Sequence, residues 1–172
     1  MCNKATLDGK NPFYIQDRVG KNGRHYKMWK LRSMVINADS LLETYLAENS
    51  AALEEWNTYQ KLAQDPRTTP VGRFIRKTSL DELPQLWNVL LGEMSLVGPR
   101  PMIPSQKTLY PGQDYYDLHP GITGMWQVSL RNKSTFSDRA EFDTKYNRTL
   151  SLRTDLGILL KTVQVVLKGT GC

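Results

Sequence analysis

The sequence predicts a helix-rich α+β fold in a single domain, and three observations carry that reading. An Asn-Gly pair sits between two β-prone runs near the start of the chain. Apolar residues recur at helical spacing through several later segments. Between those segments, residues 92–124 are dense in glycine and proline.

Residues 13–19 and 24–31 flank Gly20-Lys21-Asn22-Gly23. Asn and Gly both tolerate positive φ, so this is a strong hairpin signal. After Met34 the pattern turns helical. Leu41, Leu42, Tyr45 and Leu46 make one apolar face, and Leu53, Trp56, Tyr59 and Ala63 make another, starting after Ser50. The two prolines of Asp65-Pro66-Arg67-Thr68-Thr69-Pro70 break that helix, because each biases its predecessor away from the helical region. A third helix is expected over 80–91, with Leu80, Leu83, Leu86, Trp87, Leu90 and Leu91 on one side and Asp81, Gln85 and Asn88 on another. Ser79 and Glu82 have capping-box spacing, which places its start. Pro84 falls near the end of the first turn, where a missing N–H costs little.

The stretch 92–124 reads as loop with short extended pieces. It is too long for a mere linker in a compact domain and is expected to line a site beside the third helix. Residues 134–147 read as helix, and a last helix runs over 155–168. That helix spans about 21 Å, too short to cross a bilayer. It can lie in a membrane interface with its lysines at the headgroups, or pack on the core. No internal repeat or low-complexity tract occurs.

At 172 residues the chain can bury a core without disulfides. Apolar residues make up 40% and charged residues 23%, a globular balance rather than a disordered one. The net charge of +6, from 23 basic against 17 acidic residues, calls for an anionic partner such as a nucleotide, a phosphate or acidic lipid. No nucleic-acid motif accompanies the charge, so nucleic acid is set aside. Cys2 and Cys172, at opposite ends, offer neither zinc spacing nor a disulfide framework and suit a reducing setting. Met1-Cys2-Asn3-Lys4 has no apolar run behind it, so no secretory signal is expected there. No apolar run is long enough for a spanning helix.

The chemistry concentrates in one stretch. Arg73, Arg76 and Lys77 precede Thr78-Ser79-Leu80-Asp81-Glu82, which opens the third helix, and Arg100 follows in Gly98-Pro99-Arg100-Pro101. A helix N-terminus favours phosphate, and arginines hold its oxygens bidentately. A carboxylate in such surroundings can serve as a nucleophile or hold Mg²⁺ over a diphosphate. The same acidic pair also suits the helix dipole alone, so the residues by themselves leave both readings open. His25 and His119 have no visible partner and read as ordinary surface or loop residues.

The run 65–90, from Asp65-Pro66-Arg67 through Thr78-Ser79-Leu80-Asp81-Glu82-Leu83-Pro84-Gln85-Leu86-Trp87-Asn88, resembles the signature of the bacterial sugar transferases. These are the monotopic polyprenyl-phosphate phosphoglycosyl transferases. Gly92-Glu93-Met94-Ser95-Leu96-Val97-Gly98-Pro99-Arg100-Pro101 is similar to the family's next block. Gln16-Asp17-Arg18-Val19-Gly20, Lys30-Leu31-Arg32-Ser33-Met34 and Pro120-Gly121-Ile122-Thr123-Gly124-Met125-Trp126-Gln127-Val128 match further blocks. Together these cover nearly the whole chain in family order.

The resemblance implies that Asp81 and Glu82 are the catalytic dyad. Asp81 would attack the sugar-linked phosphorus of a UDP-sugar, expel UMP and carry the phosphosugar until undecaprenyl phosphate takes it. It implies Mg²⁺ as cofactor, with Asp81 among its ligands, and an orienting or metal-binding role for Glu82. Arg76 and Arg100 fall at positions that suit phosphate, and Arg18, Lys30 and Arg32 match family positions beside the hairpin, where a strand-edge charge is ordinarily just solvated. Arg131, Arg139 and Asp143, with Tyr146, match a late family pattern that either touches nucleotide or buttresses the site. The implied partners are a UDP-sugar, undecaprenyl phosphate and the cytoplasmic membrane surface, with room for a homodimer. The implied setting is the cytoplasmic face of the bacterial inner membrane, in exopolysaccharide or lipopolysaccharide O-antigen synthesis.

An insertion over 37–64, with Glu54-Glu55-Trp56, resembles the branch that often handles galactose or glucose. Family members usually carry an apolar re-entrant helix before the block matching Asn11-Pro12-Phe13-Tyr14-Ile15-Gln16. The expectation here is a catalytic domain over 1–172 without that helix, acting peripherally. A second reading follows from the same departure: a non-catalytic remnant that binds a UDP-sugar or a partner transferase. Leu130 stands where the family commonly has Gly, and 147–153 is less aromatic than usual.

Overall fold

The expected hairpin forms from β1 (Phe13–Val19) and β2 (His25–Leu31) in the computed structural model, which describes residues 11–129 and 134–167. Asn22 and Gly23 turn the chain with φ of 57° and 72°, the left-handed region those residues tolerate. The antiparallel register sets Tyr14 opposite Lys30, Gln16 opposite Met28 and Arg18 opposite Tyr26. Side chains alternate across a strand, so Tyr26, Met28 and Lys30 share one face. Tyr26 and Met28 are buried in a small cluster with Met94.

Two helices follow, α1 (Ala38–Glu48) and α2 (Ser50–Tyr59). Asn49 caps the second by accepting from the Ala52 N–H at 3.0 Å. The helix expected to run through Ala63 to the prolines ends earlier, at Tyr59, because Gln60 takes the left-handed conformation with φ of 53° and closes it. The non-helical stretch at 65–70 is held by Arg67, whose Nε and Nη2 donate to the two Asp65 oxygens at 2.8 and 2.6 Å. Pro70 then opens a further helix, α3 (Pro70–Lys77), where the proline pattern alone predicts only a break. Proline suits the first helical position, and the Thr69 hydroxyl accepts from the Gly72 N–H at 2.9 Å. Gly72 is required by close approach: a Cβ there would lie 1.8 Å from the Ser33 carbonyl oxygen.

The continuous helix expected over 80–91 is instead a 3-10 turn at Leu80–Glu82 followed by α4 (Gln85–Leu90). The capping box does not form. Ser79 has φ of 57° and its side chain caps nothing, while its N–H donates to the Arg76 carbonyl at 3.1 Å. Ser79 therefore closes α3 rather than opening the next helix. The faces of this segment are also placed opposite to the usual globular arrangement. Asp81, Gln85 and Asn88 are buried, whereas Leu83, Trp87 and Leu90 are exposed.

The stretch 92–124 contains β3 (Ser95–Val97), α5 (Asp114–Asp117) and β4 (Gly121–Thr123), with β3 and β4 paired in parallel. A Cβ on Gly121 would lie 2.1 Å from the Gly98 nitrogen, so only glycine lets these backbones meet. Then come α6 (Met125–Val128), α7 (Arg139–Arg148) and α8 (Leu152–Leu167). The helix expected over 134–147 starts only at Arg139, because Asp138 turns back to accept from the Thr135 N–H at 2.7 Å. The last helix begins at Leu152 rather than Asp155, capped by the Ser151 hydroxyl on the Thr154 N–H.

Val19, Met102, Tyr110, Tyr115 and Phe136 form one core cluster, and Val97, Leu118, Tyr146 and Ile158 another. One stripe of α8 packs on the latter through Ile158, and Thr162 hydrogen-bonds Thr123 at 2.7 Å. The opposite stripe, Leu156, Leu160 and Val163, is exposed. No described helix is long and apolar enough to cross a membrane. Cys2, Leu130, Arg131, Lys168 and Cys172 lie outside the described residues.

Candidate active site

The site is built where the hairpin meets the 80–90 segment, and Asn88 makes that junction. Its Oδ1 accepts from the Trp29 N–H at 3.1 Å, and its Nδ2 donates to the Lys27 carbonyl at 2.8 Å and Glu93 Oε2 at 2.7 Å. With α4 fixed on β2, the 3-10 turn before it lies over the strand's inner row. Lys30, in phase with Tyr26 and Met28, reaches Glu82 Oε1 at 3.0 Å. Arg100 approaches the same oxygen at 4.0 Å. Burial pushes the Lys30 ammonium down, while Glu82 pulls it back up.

Asp81 sits beside this pair with 7% of its surface exposed. Burial is the largest influence and pushes its carboxyl above the ordinary aspartate value. Lys30 and Arg76 pull it down, and Glu82 pushes it up. Arg76 occupies the last turn of α3 and donates to the Thr68 hydroxyl at 3.0 Å. The phosphate-binding helix N-terminus expected at 79–82 is reduced to a three-residue turn. Positive potential near Asp81 comes from side chains instead.

Three arginines lie around the Gly98–Pro101 turn. Arg18 donates to the Pro101 carbonyl at 3.0 Å and to Gln16 Oε1 at 2.6 Å, so it braces the turn that carries Arg100. Burial, with Arg100 adding to it, pushes Arg18 down to about 10. The Arg100 guanidinium lies 6.0 Å from the Trp126 ring centre, and Arg139 lies between Trp126 at 4.4 Å and Phe136 at 4.5 Å. Burial and then Arg100 push Arg139 down to about 9. Behind it, Asp143 accepts from the Tyr110 hydroxyl at 2.7 Å. Burial pushes Asp143 up to about 7, against the opposing pull of Tyr110 and Arg139.

The expected site residues thus fall into two shells. Asp81 and Glu82 meet Lys30, Arg76 and Arg100, and Arg18 and Arg139 stand close enough to feel Arg100. Asp143 lies behind Arg139. Arg32 follows the end of β2, where its N–H donates to the Pro12 carbonyl at 2.7 Å. The Tyr146 hydroxyl donates to Asp155 at 2.7 Å and ties α7 to α8. Arg131 lies outside the described residues. Lys30 had a readable signal, its phase with Tyr26 and Met28, whereas the burial of Asn88 and Gln127 had none.

A buried carboxylate next to a neutralised glutamate, under a surplus of cations, suits attack on a phosphorus atom whose oxygens those cations hold. Among the described residues no group of three or more His, Cys, Asp or Glu side chains could hold a metal ion. Mg²⁺ needs no such cage, since it is commonly bound by one or two carboxylates and the substrate's phosphates. Asp81 is a donor of that kind.

Residues 2–169 match the model of the family described as bacterial sugar transferase. The chain is 52% identical over 169 residues to a UDP-galactose-lipid carrier transferase of Erwinia amylovora, covering 97% of this chain and 35% of that protein. It is 49% identical over 170 residues to an undecaprenyl-phosphate galactose phosphotransferase of Salmonella typhimurium, covering 98% of this chain and 36% of that protein. It is 46% identical over 166 residues to the exopolysaccharide production protein ExoY of Sinorhizobium fredii, covering 95% of this chain and 74% of that protein. The chain therefore spans roughly a third of the first two relatives.

Proposed function

This chain belongs to the bacterial sugar transferase family, and on that premise we propose that it transfers a hexose-1-phosphate from a UDP-sugar to undecaprenyl phosphate, with release of UMP. The single observation that carries this reading is the buried Asp81 beside a Glu82 already paired with Lys30. A carboxylate so placed is free to form a bond while its neighbour's charge is cancelled. The names of the relatives favour galactose as the hexose and exopolysaccharide synthesis as the setting.

In the first step an Asp81 oxygen forms a bond to the sugar-linked phosphorus, the bond from that phosphorus to the bridging oxygen breaks, and UMP leaves with the electron pair. In the second, an oxygen of undecaprenyl phosphate attacks the same phosphorus, and the Asp81 carboxylate is released. Lys30 and Arg100 hold Glu82 and keep the potential positive, and Arg18 fixes the turn that presents Arg100. Phosphoryl transfer depends mainly on such positioning and charge neutralisation. Mg²⁺ bound by Asp81 and the diphosphate would neutralise charge on the phosphate oxygens.

The lipid acceptor accounts for the reversed faces of the 80–90 segment. Phe74, Leu83, Trp87 and Leu90 leave their apolar groups outside, on the segments that flank the turn carrying Asp81. Such a surface beside a phosphate site suits docking at the cytoplasmic leaflet, where the polyprenyl phosphate is held and UDP-sugars are available.

The test is UMP release from UDP-galactose and UDP-glucose in the presence of Mg²⁺ and liposomes carrying undecaprenyl phosphate. Lipid-dependent release is expected from the wild type, and Asp81→Asn is expected to lower it at least a thousandfold while the fold is kept. Undiminished release from that variant would remove Asp81 as nucleophile. A folded chain that binds UDP-sugar without releasing UMP would support a binding role instead.

A further inference from the structure

We propose that Gln127 is a specificity-determining residue of this site, whose amide reads a neutral group of the sugar nucleotide that offers a hydrogen-bond donor beside an acceptor. The nature of the ligand rests on the functional reading above. The choice of residue rests on the structure.

Gln127 retains 7% of its exposure, yet among the described residues neither its Nε2 nor its Oε1 has a hydrogen-bond partner. A carboxamide carries two donors and an acceptor with two lone pairs, and buried side chains of this kind are nearly always paired. Local geometry holds it there. Gly124 caps α6, and a Cβ at that glycine would lie 2.9 Å from Gln127 Oε1 and 2.0 Å from the Gly98 carbonyl oxygen. The amide oxygen therefore lies on the same side of Gly124 as the Gly98 carbonyl, near the turn that carries Arg100.

Its surroundings share the same deficit. Among the described residues, Arg18 and Arg139 each keep a buried Nε without a partner. Arg100 and Arg139 both approach the ring of Trp126, the residue next to Gln127. Arg18, Lys30, Glu82 and Arg100 line a cleft together with Gly121 and Ile122 of β4, the strand that leads into α6. Of the residues with unused hydrogen-bonding capacity, Arg18 lines this cleft itself, and Arg139 shares the Trp126 ring with the cleft's Arg100. Gln127 lies on the short helix that follows its β4 wall, so a ligand that extends past Arg100 would use it.

The chemistry of the amide narrows the ligand. Phosphate oxygens only accept, so they can serve the arginines and Gln127 Nε2 but leave Oε1 without a donor. Gln127 is satisfied in full only by a neutral group with an N–H or O–H next to an acceptor. A UDP-sugar has two such groups, the imide edge of the uracil and the hydroxyls of the hexose. In either place the residue would read the identity of the donor rather than its charge.

Calorimetric titration of the chain with inorganic diphosphate, UDP, UDP-galactose and UDP-glucose, beside Gln127→Met and with thermal midpoints measured, tests the proposal. Methionine keeps the volume and removes the unpaired groups, so the variant should melt at or above the wild-type midpoint. It should bind inorganic diphosphate within twofold of wild type and UDP-galactose at least tenfold more weakly. A loss shared by UDP assigns the contact to the uracil, and a loss confined to the UDP-hexoses assigns it to the sugar. A lowered midpoint, an equal loss for inorganic diphosphate, or UDP-galactose binding within twofold of wild type overturns the proposal and leaves the functional reading intact. A folded wild type that binds neither UDP nor UDP-hexoses overturns both.

Discussion

Lys30 lies at the far end of a row begun by Tyr26 and Met28, and strand alternation alone turns its ammonium inward to Glu82. Among the charged groups acting on Asp81, Lys30 is the strongest, and it lowers a carboxyl that burial raises. Removing it leaves Asp81 higher still. A nucleophilic aspartate must be ionised, so activity is lost as pH falls through its pKa, and a higher pKa moves that loss to higher pH. Lys30→Met is therefore expected to reduce UMP release and to move the acid limb of its pH–rate profile to higher pH, so that part of the loss is recovered on the alkaline side. The pH–rate profile decides the point: an acid limb that stays in place while the rate falls uniformly would make Lys30 a structural prop.

At the scale of elements, two contacts do most of the positioning. Asn88 joins α4 to β2 through two hydrogen bonds and holds Glu93 through a third, and leaving any of its partners buried and unpaired would cost about 1–3 kcal/mol. Asp143 joins α7 to the 104–110 turn through Tyr110. Its carboxyl rises from 3.8 to about 7 on folding, so between those values the folded chain holds a proton that the unfolded chain has lost. Stability accordingly falls as pH rises through that window. The melting midpoint of the wild type should drop between pH 5 and pH 8. Asp143→Asn, which can still accept from Tyr110, should flatten that slope and be the more stable protein at pH 8, by a difference on the order of a few kcal/mol. Parallel slopes for the two proteins would show that Asp143 is ionised in the fold.

At the scale of the whole molecule, the apolar core clusters leave one region where polar chemistry is drawn inside and large apolar side chains stay outside. Trp87 is 57% exposed, Leu90 78% and Leu160 69%. Inserting one large apolar side chain into a membrane interface is worth roughly 1.5–3 kcal/mol, so two of them decide whether a domain this size partitions. Trp87→Ser combined with Leu90→Ser should lower co-sedimentation with liposomes at least tenfold while the affinity for soluble UDP-galactose stays within twofold. Unchanged partitioning would place the docking surface elsewhere, the outer stripe of α8 being the next to test.

Local physics makes much of this molecule legible in its sequence. The hairpin follows from Asn22 and Gly23, whose tolerance of positive φ acts within a single turn, and proline sterics keep 65–69 out of any helix, although α2 already ends at a left-handed Gln60 that the pattern did not mark. The residues Asp81, Glu82, Arg76 and Arg100 stand in a linear motif and can be singled out as a group from their order alone. Periodicity also divides the 80–91 segment into an apolar and a polar side. Which side faces inward is a matter of what lies opposite, and only the hairpin packed through Asn88 turns Asp81, Gln85 and Asn88 toward the interior. The same holds for Lys30 on Glu82, for Arg139 between Trp126 and Phe136, and for the unpaired amide of Gln127. Each joins residues far apart in the chain or depends on burial imposed by several elements at once. Sequence therefore determined which charged groups stand together in the chain as candidates for the chemistry, because their order is local, and tertiary packing decided where charge, desolvation and apolar surface meet around them.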